Sequence, residues 1–355
     1  MKITRYIILC CLVVVFVGSL TYGCAAQGPA PSGAPITLVF STHDPDKNHM
    51  VVGIYKPWFD MIEQKTGGKV KFEMHYNGEL AGPPQAYDSL IKGVFDMTTV
   101  MIHATPDFEL EQIVASPLYD TFSWRPGRVL NELYQKYPEM QKQYGKIKPL
   151  LIFCMSPGWM GTSKKQVKSF EESAGLKMIC GGPFPAKRAQ ALGQVPVSTA
   201  PPEFFQTIEK GIADGGNVVT LPEAITYRWV DIIKNIHNVP MLQGIMSVFM
   251  NKQTWDKLPA DVQKAFTDTQ AQAIEMADKS QILAYKDAYS RMAKEFGVNM
   301  ITLPPSELAK FVKADEPVRA EFVKSLDAKG LPGSKFHADY VSLSKKYAAA
   351  EYEIK

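Results

Sequence analysis

Four residues that could hold a metal or move protons crowd into one short stretch: His43, Asp44, Asp46 and His49. Imidazole nitrogens and carboxylate oxygens serve zinc binding and general acid–base chemistry alike. The spacing completes neither. The six histidines (His43, His49, His75, His103, His237 and His337) form no i, i+4 pair and have no cysteine or aspartate at zinc spacing. The stretch reads instead as a polar loop entering a helix, with Asp44 or Asp46 as its cap. Gly181-Gly182 runs into Pro183 with no Lys-Ser or Lys-Thr after it, so no phosphate-cradling loop is present. There is no Gly-x-Ser-x-Gly elbow. Cys154 and Cys180 lie in apolar, strand-like runs, where a buried free thiol is the expectation. Nothing here asks for an enzyme or a cofactor.

The start of the chain sets its compartment. Lys2 and Arg5 precede an uncharged apolar run, Tyr6 to Leu20, and small residues follow at Gly23-Cys24-Ala25. That order is a secretory signal over 1–23. Its apolar run is about 15 residues, short of the roughly 20 that span a bilayer. Leu20-Thr21-Tyr22-Gly23 before Cys24 suggests a lipoprotein signal with Cys24 lipidated; ordinary cleavage near Ala25 or Ala26 is the alternative. Residues 24–35, rich in Gly, Pro, Ala and Ser, read as a flexible tether. The protein is therefore expected outside the cytoplasm, touching the membrane only through that anchor. The net charge is +3, and the signal carries +2 of it, so the exported chain is near neutral. With no basic stripe interleaved with aromatics, nucleic acid is not an expected partner.

The elements that must position any site follow from periodicity. Ile36–Phe40 is a strand, and Val51–Thr66 carries helical apolar spacing stopped by Gly67-Gly68. Val70–Met74 alternates as a strand, Pro84–Gly93 reads as a helix and Phe95–Ile102 as a strand. A β-α-β-α-β start implies a parallel sheet with covering helices. A second α/β unit follows: strands Leu150–Met155, Leu176–Cys180, Val195–Val197 and Ala213–Val219, with helices Pro185–Leu192, Pro202–Gly211 and Glu223–Lys234. Ile245–Asn251 is a strand returning toward the first unit. Pro259–Phe296 has no internal Gly or Pro and reads as one long helix or two joined ones; Glu307–Val312 and Val318–Lys329 read as shorter helices.

Five ordered stretches carry a family resemblance. They are Thr66-Gly67-Gly68-Lys69-Val70 with Tyr76-Asn77-Gly78-Glu79-Leu80; Lys92-Gly93-Val94-Phe95-Asp96-Met97; Lys168-Ser169-Phe170-Glu171-Glu172 through Gly175-Leu176-Lys177-Met178; Ala191-Leu192-Gly193-Gln194-Val195-Pro196-Val197 with Glu203-Phe204-Phe205 and Lys210 to Gly215; and Met250-Asn251-Lys252, Trp255 and Leu258 to Gln263. Together they resemble the extracytoplasmic solute-binding proteins of TRAP transporters, often called dicarboxylate-binding. The resemblance implies an α/β, two-domain periplasmic-binding-protein-like fold with a ligand cleft between the domains and a long helix spanning them. The implied domains are 36–150 with 245–300, then 151–244, with C-terminal helices over 301–355. The implied function is binding of a small organic acid or related solute, cleft closure, and delivery to small and large TRAP membrane subunits, with a homodimer through the long helix also open. A solute receptor for an ABC importer or a sensor, or an exported enzyme on this scaffold, are the alternatives.

One departure bears on the solute. The family pattern continues Gly-Leu-Lys-Ile-Arg-Val, and its arginine clamps the solute carboxylate; here Ile179 stands in that place. Either another cation holds the acid, with Lys187, Arg188 or Arg228 as candidates, or the solute is neutral, zwitterionic or largely apolar. Lys187 and Arg188 otherwise read as solvated helix faces and Arg228 as a surface residue. Trp159 and Met160, after an apolar strand, are candidates for the cleft, with core packing as the competing reading. Together with Tyr76, His103 and Phe184 they suggest a larger or aromatic solute. The resemblance adds Asn217, where relatives place polar contacts, and His103 in a matching first-domain loop; His43 completes the set.

Overall fold

The computed structural model describes residues 34–116 and 126–348. The expected signal peptide, Cys24 and nearly all of the tether lie outside the described residues.

The first elements are β1 (Ile36–Ser41), α1 (Lys56–Lys65), β2 (Val70–His75), α2 (Pro83–Ile91) and β3 (Met97–Met101). A wide π-helical turn, Val51–Tyr55, leads into α1, so the expected 51–66 helix is built in two parts. Next come α3 (Glu111–Ala115), α4 (Pro126–Lys136), α5 (Pro138–Gln143) and β4 (Ile147–Thr162). The second lobe holds β5 (Lys177–Ile179), α6 (Pro183–Ala191), β6 (Val195–Val197), α7 (Phe204–Glu209), β7 (Gly215–Val219) and α8 (Leu221–Thr226). The chain returns through β8 (Asn235–Asn251), then α9 (Lys252–Lys257), α10 (Ala260–Phe296), β9 (Asn299–Ile301), α11 (Pro305–Ala328) and α12 (Gly333–Ala348).

The described strands form one sheet in the order β2-β1-β3-β8-β4-β7-β5-β6, with β9 beside β8. β1, β2 and β3 are parallel to one another, and so are β5, β6 and β7. The two parallel sets are joined by β4 and β8, which pair antiparallel from Ile147↔Asn251 to Thr162↔Asn235. The expected strands 150–155 and 245–251 are therefore halves of two long strands that run through both lobes. Their register slips between Cys154 and Pro157. At the slip the side chains of two glutamines take over from the ladder: Ser156 N–H donates to Gln281 Oε1 (2.9 Å), and Gln243 Nε2 donates to the Met155 carbonyl (2.6 Å). Buried backbone groups need such partners, so the slip is stabilised rather than tolerated.

α10 is a single helix of 37 residues, about 55 Å long at 1.5 Å per residue. It is fastened to both lobes. Trp58 Nε1 on α1 donates to Thr269 Oγ1 (2.9 Å), and Arg128 on α4 pairs with Asp278 (3.0 Å). Farther along, Ala288 and Met292 join the second-lobe core with Trp229, Val230 and Ile236. Small Ala273 and Ala277 face the buried side, letting the helix lie close on the sheet.

Three expectations change. Two short helices over 307–312 and 318–329 are one helix, α11, with Pro317 inside it. The proline removes one backbone donor, and burial of Phe311, Val323 and Leu326 keeps the helix continuous. The helix expected over 223–234 stops at Thr226, because Arg228 adopts a left-handed backbone (φ 57°) before a short 3-10 turn, Trp229–Asp231. The Asp44 or Asp46 cap does not form: the helical turn is preceded by Met50 with no side-chain cap, and Asn48 Oδ1 instead accepts from Met50 N–H (2.8 Å).

Arg188 is fully buried on α6, not solvated. Its Nε donates to Asp315 on α11, and its Nη1 to the Met241 carbonyl (2.7 Å). Arg319 also donates to Asp315 (2.8 Å). Burial pushes the Asp315 carboxyl up, but the Arg188 and Arg319 guanidiniums more than offset that and hold it below the usual range. Asp315→Ala should cost about 3–5 kcal/mol in urea unfolding, because it strands a buried guanidinium. Arg188→Met with Asp315→Leu should recover most of that loss. A single substitution costing under about 1 kcal/mol would contradict the buried pair.

Candidate functional site: an acidic cleft at the carboxyl ends of the strands

Every described parallel strand that points into the space between the lobes ends in a residue that lines it. β1 delivers His43 and Asp44, β3 delivers His103, β5 delivers Ile179 to Gly182, β6 delivers Ser198 to Ala200, and β7 delivers Thr220. This is where open parallel sheets place ligands, because the loops there diverge and leave a crevice. The cavity has a volume of about 980 Å³, at the upper end for a small-molecule pocket. Met50, Met101, Met155, Leu242, Phe204 and Trp229 supply apolar walls. Thioether side chains adapt to irregular shapes, and flat rings favour flat solutes. Met155 and Gly244 put the β4–β8 slip itself in the wall.

The lobes meet closely at one point. A Cβ on Gly182 would fall 2.7 Å from the His103 carbonyl oxygen, and its φ of 135° also favours glycine. The glycine pair that failed as a phosphate loop thus serves a close approach between the lobes.

His103 is buried. Its Nδ1 sits 3.0 Å from the Ile245 backbone nitrogen and 3.1 Å from the Ile245 carbonyl oxygen, so the Ile245 peptide holds the ring by that nitrogen. Burial pushes its pKa down to about 4, against a smaller opposing effect from the Ile245 backbone. It is a neutral polar ring in the wall, not a standing positive charge.

The opposite character sits on Asp44 and Glu223. Both are buried, at 0% and 3% exposure. Asp44 Oδ2 accepts from the Thr42 hydroxyl (2.8 Å), while its Oδ1 and both Glu223 oxygens have no hydrogen-bond partner. The nearest nitrogens are His43 Nε2 to Asp44 (3.7 Å) and His49 Nε2 to Glu223 (3.7 Å). Tyr227 lies beside them, and burial together with the Asp44 and Glu223 charges pushes its phenol far above the usual value. Thr220 and Tyr227 flank α8 at its two ends and Glu223 lies within it, and all three line the cleft.

Among the sequence candidates, the cleft gathers His43, His103 and Ile179. The others are elsewhere. Trp159 and Met160 are neighbours on β4, so they point to opposite faces of the sheet: Trp159 packs with Trp229 and Ile233, Met160 with Leu192 and Val239. Phe184 stacks on Phe322 of α11, with centroids 4.1 Å apart. Asn217 is buried behind the wall and donates to Gln194 Oε1 (2.7 Å), while its neighbour Val218 faces the cleft. Tyr76 lies under Lys56 Nζ, 5.3 Å from the ring centroid, and bonds Met74 Sδ. Arg228 points out, its side chain 81% exposed and paired with Asp231 (2.6 Å). Lys187 is exposed and Arg188 is held by Asp315, so none of the three proposed cations lines the cleft. Asp44, Glu223 and Tyr227 were missed. The signal was present in the density of ligand-type residues at 43–49 and in the one-face spacing of Glu223 and Tyr227. Cys154 and Cys180 are buried free thiols, with Cys180 at the cleft wall and pushed up to about 11 by burial.

Residues 40–325 match the profile of the family described as bacterial extracellular solute-binding protein, family 7. Among curated proteins, the outer membrane transporter protein TsaT of Comamonas testosteroni is 24% identical over 305 residues, 84% of this chain and 88% of that protein. A solute-binding protein of Verminephrobacter eiseniae is 25% identical over 304 residues, 83% of this chain and 87% of that one. Among solved structures, a TRAP solute-binding protein of Rhodoferax ferrireducens with copurified benzoate superimposes with a TM-score of 0.81 at 20% identity, covering 89% of this chain and 99% of the other. A marine metagenome TRAP solute-binding protein specific for aromatic acid ligands, bound to metahydroxyphenylacetate, gives 0.79 at 23% identity, with 88% and 99% covered. These likenesses carry the fold.

The buried histidines make a pH test. His103 and His237 are both pushed down to about 4 by burial, from 6.5. Between those values the unfolded chain binds more protons than the fold, so stability is full above pH 6.5 and is lost as pH falls toward 4. Each gives a slope of about 1.4 kcal/mol per pH unit. Glu111 opposes them: burial raises it from 4.5 to about 7, so its contribution is full below pH 4.5 and is lost as pH rises to 7. The melting temperature should fall between pH 6.5 and 4.5, and His103→Gln should flatten that fall. An unchanged slope in the variant would show that His103 is not held neutral.

Proposed function

Because this chain belongs to the bacterial extracellular solute-binding proteins of family 7, we propose that it is the extracytoplasmic receptor of a TRAP-type importer. It takes one small organic solute into the cleft, closes on it, and presents the closed form to the small and large membrane subunits. The observation that carries this is the cleft itself: about 980 Å³, lined from both lobes at the carboxyl ends of parallel strands, with the β4–β8 slip in its wall. Two lobes joined by a pair of continuous strands can close by small backbone changes at the slip, and a closed lobe pair is a shape that a membrane partner can distinguish.

Small organic acids are bound by the neighbouring structures, benzoate and metahydroxyphenylacetate among them. That class, or a related solute, is the starting proposal here, and the Phe204, Trp229 and methionine walls suit an aromatic body. Anchoring through Cys24 is the finer reading of location, supported by the signal-like start and the tether that follows it. A homodimer through α10 remains part of this reading, supported by exposed Leu283 and Tyr289.

A thermal-shift panel of carboxylates, sulfonates, aromatic acids and neutral osmolytes tests the receptor reading. A binder at a hundredfold excess over its dissociation constant should stabilise the protein by about 2.7 kcal/mol. The same compound should reduce the radius of gyration in solution scattering. Stabilisation without compaction would remove the closure mechanism, and a panel with no binder would count against the receptor assignment.

A further inference from the structure

We propose that the solute carries a protonated nitrogen, an ammonium or substituted ammonium group seated between Asp44 and Glu223; this rests on the receptor reading above and names the chemical class that the same cleft selects.

The charges point one way. Five carboxylates line the cleft (Asp44, Asp88, Asp107, Glu203 and Glu223), and among the described lining residues there is no lysine or arginine. The field in such a crevice concentrates cations and repels anions. Ile179 stands where the family's carboxylate clamp would be, and it lines the wall as an apolar surface.

The hydrogen bonds point the same way. Asp44 and Glu223 are almost wholly buried, and three of their four oxygens have no partner. A buried, unbonded carboxylate oxygen costs several kcal/mol, so in a native fold it marks a missing donor. The Tyr227 hydroxyl beside Asp44 can serve one of these oxygens, which leaves the two Glu223 oxygens without a donor. His49 Nε2 is 3.1 Å from Gln281 Nε2, an amide nitrogen that only donates. His49 Nε2 therefore accepts from Gln281, and at 3.7 Å it stands beyond hydrogen-bond distance of Glu223. The phenols of Tyr55 and Tyr227 both feel Asp44 and Glu223, which places the two acids in one local field. An ammonium has three donors and one charge, and it can serve both acids at once. A chelated metal is a poorer occupant: no group of three His, Cys, Asp or Glu side chains converges as a metal site among the described residues.

The arrangement also explains closure. Asp44 follows β1 in the first lobe, and Glu223 lies on α8 in the second. Without a cation the two acids repel across the cleft and favour opening. A cation between them reverses that sign, so the free energy of neutralisation acts directly on the lobe equilibrium. The neutral His103 ring in the same wall offers a polar neighbour to the rest of the solute, which admits amino acids as well as simple amines.

Calorimetric titration of the purified protein with matched probes decides the matter: benzylamine, phenylglycine and benzoate on an aromatic body, and butylamine, norvaline and valerate on an aliphatic one. An amine or amino acid should bind at least a hundredfold tighter than the carboxylate of the same body. Glu223→Gln and Asp44→Asn should each weaken that binding tenfold or more, while the ligand-free melting temperature stays level or rises, because an unpaired buried charge has been removed. If either variant does not fold, the comparison of probes on the unaltered protein still decides. Tighter binding of benzoate or valerate than of their amines overturns the inference and leaves the receptor reading standing. Variants that bind the amine as tightly as the parent also overturn it, as does equal heat from sodium or potassium chloride alone. No binding by these probes or by the wider panel overturns both readings.

Discussion

The antiparallel pairing of β4 and β8 is the constraint on which the rest of the molecule depends. These two strands are the only part of the described sheet that belongs to both lobes. Each lobe's parallel strands hang from them, β3 on one side and β7 on the other. A pair of continuous strands resists shear but can bend where its ladder is interrupted, and the interruption at Cys154–Pro157 coincides with the cleft wall. Gln281 and Gln243 replace the missing ladder bonds with side-chain bonds. Gln281 sits on α10, so the slip is tied to the helix that braces both lobes. The pair also shifts register at Pro149–Leu151 and on either side of Trp159, so Cys154–Pro157 is one of several irregularities and the one at the cleft wall.

From that constraint the site's composition follows. Strand polarity brings all the lining loops to one crevice, and the loops bring acids. Two of the candidate cations are engaged elsewhere. Arg188 is consumed by Asp315 and the Met241 carbonyl in joining α6 to α11, and Arg228 turns outward to Asp231. A guanidinium bound to a buried carboxylate is not available for a solute, because releasing it would strand the partner in a low-dielectric interior. The cleft's electrostatics thus depend on packing decisions made two layers away.

Much of this was legible in the residues. The β-α-β-α-β start, the second α/β unit and the uninterrupted helix over 260–296 all appear in periodicity and in the placing of glycine and proline, since these are local properties of backbone and hydrophobic spacing. Pro317 misled because proline's cost is local while the burial that outweighs it is not. Trp159 and Met160 were both candidates, although strand alternation forbids both from facing one cleft. Asp44 and Asp46 both read as caps because a cap is the commonest reason for an aspartate before a helix, and only burial distinguishes a cap from a cleft carboxylate such as Asp44.

The sequence by itself determined the class of fold, the order of the elements and the family. Each of these is written in single positions or in short-range periods. Which charges meet the solute was decided only by the tertiary structure. Asp44 and Glu223 are 179 positions apart, and although each neighbourhood carries a local sign of a site, neither announces that the two acids will be buried in one cleft. Arg188 and Asp315 likewise look like surface residues of two separate helices until packing removes water from both. Burial changes the meaning of a charge because its energy depends on the surrounding dielectric and on its partners, and both are properties of the assembled fold rather than of the chain.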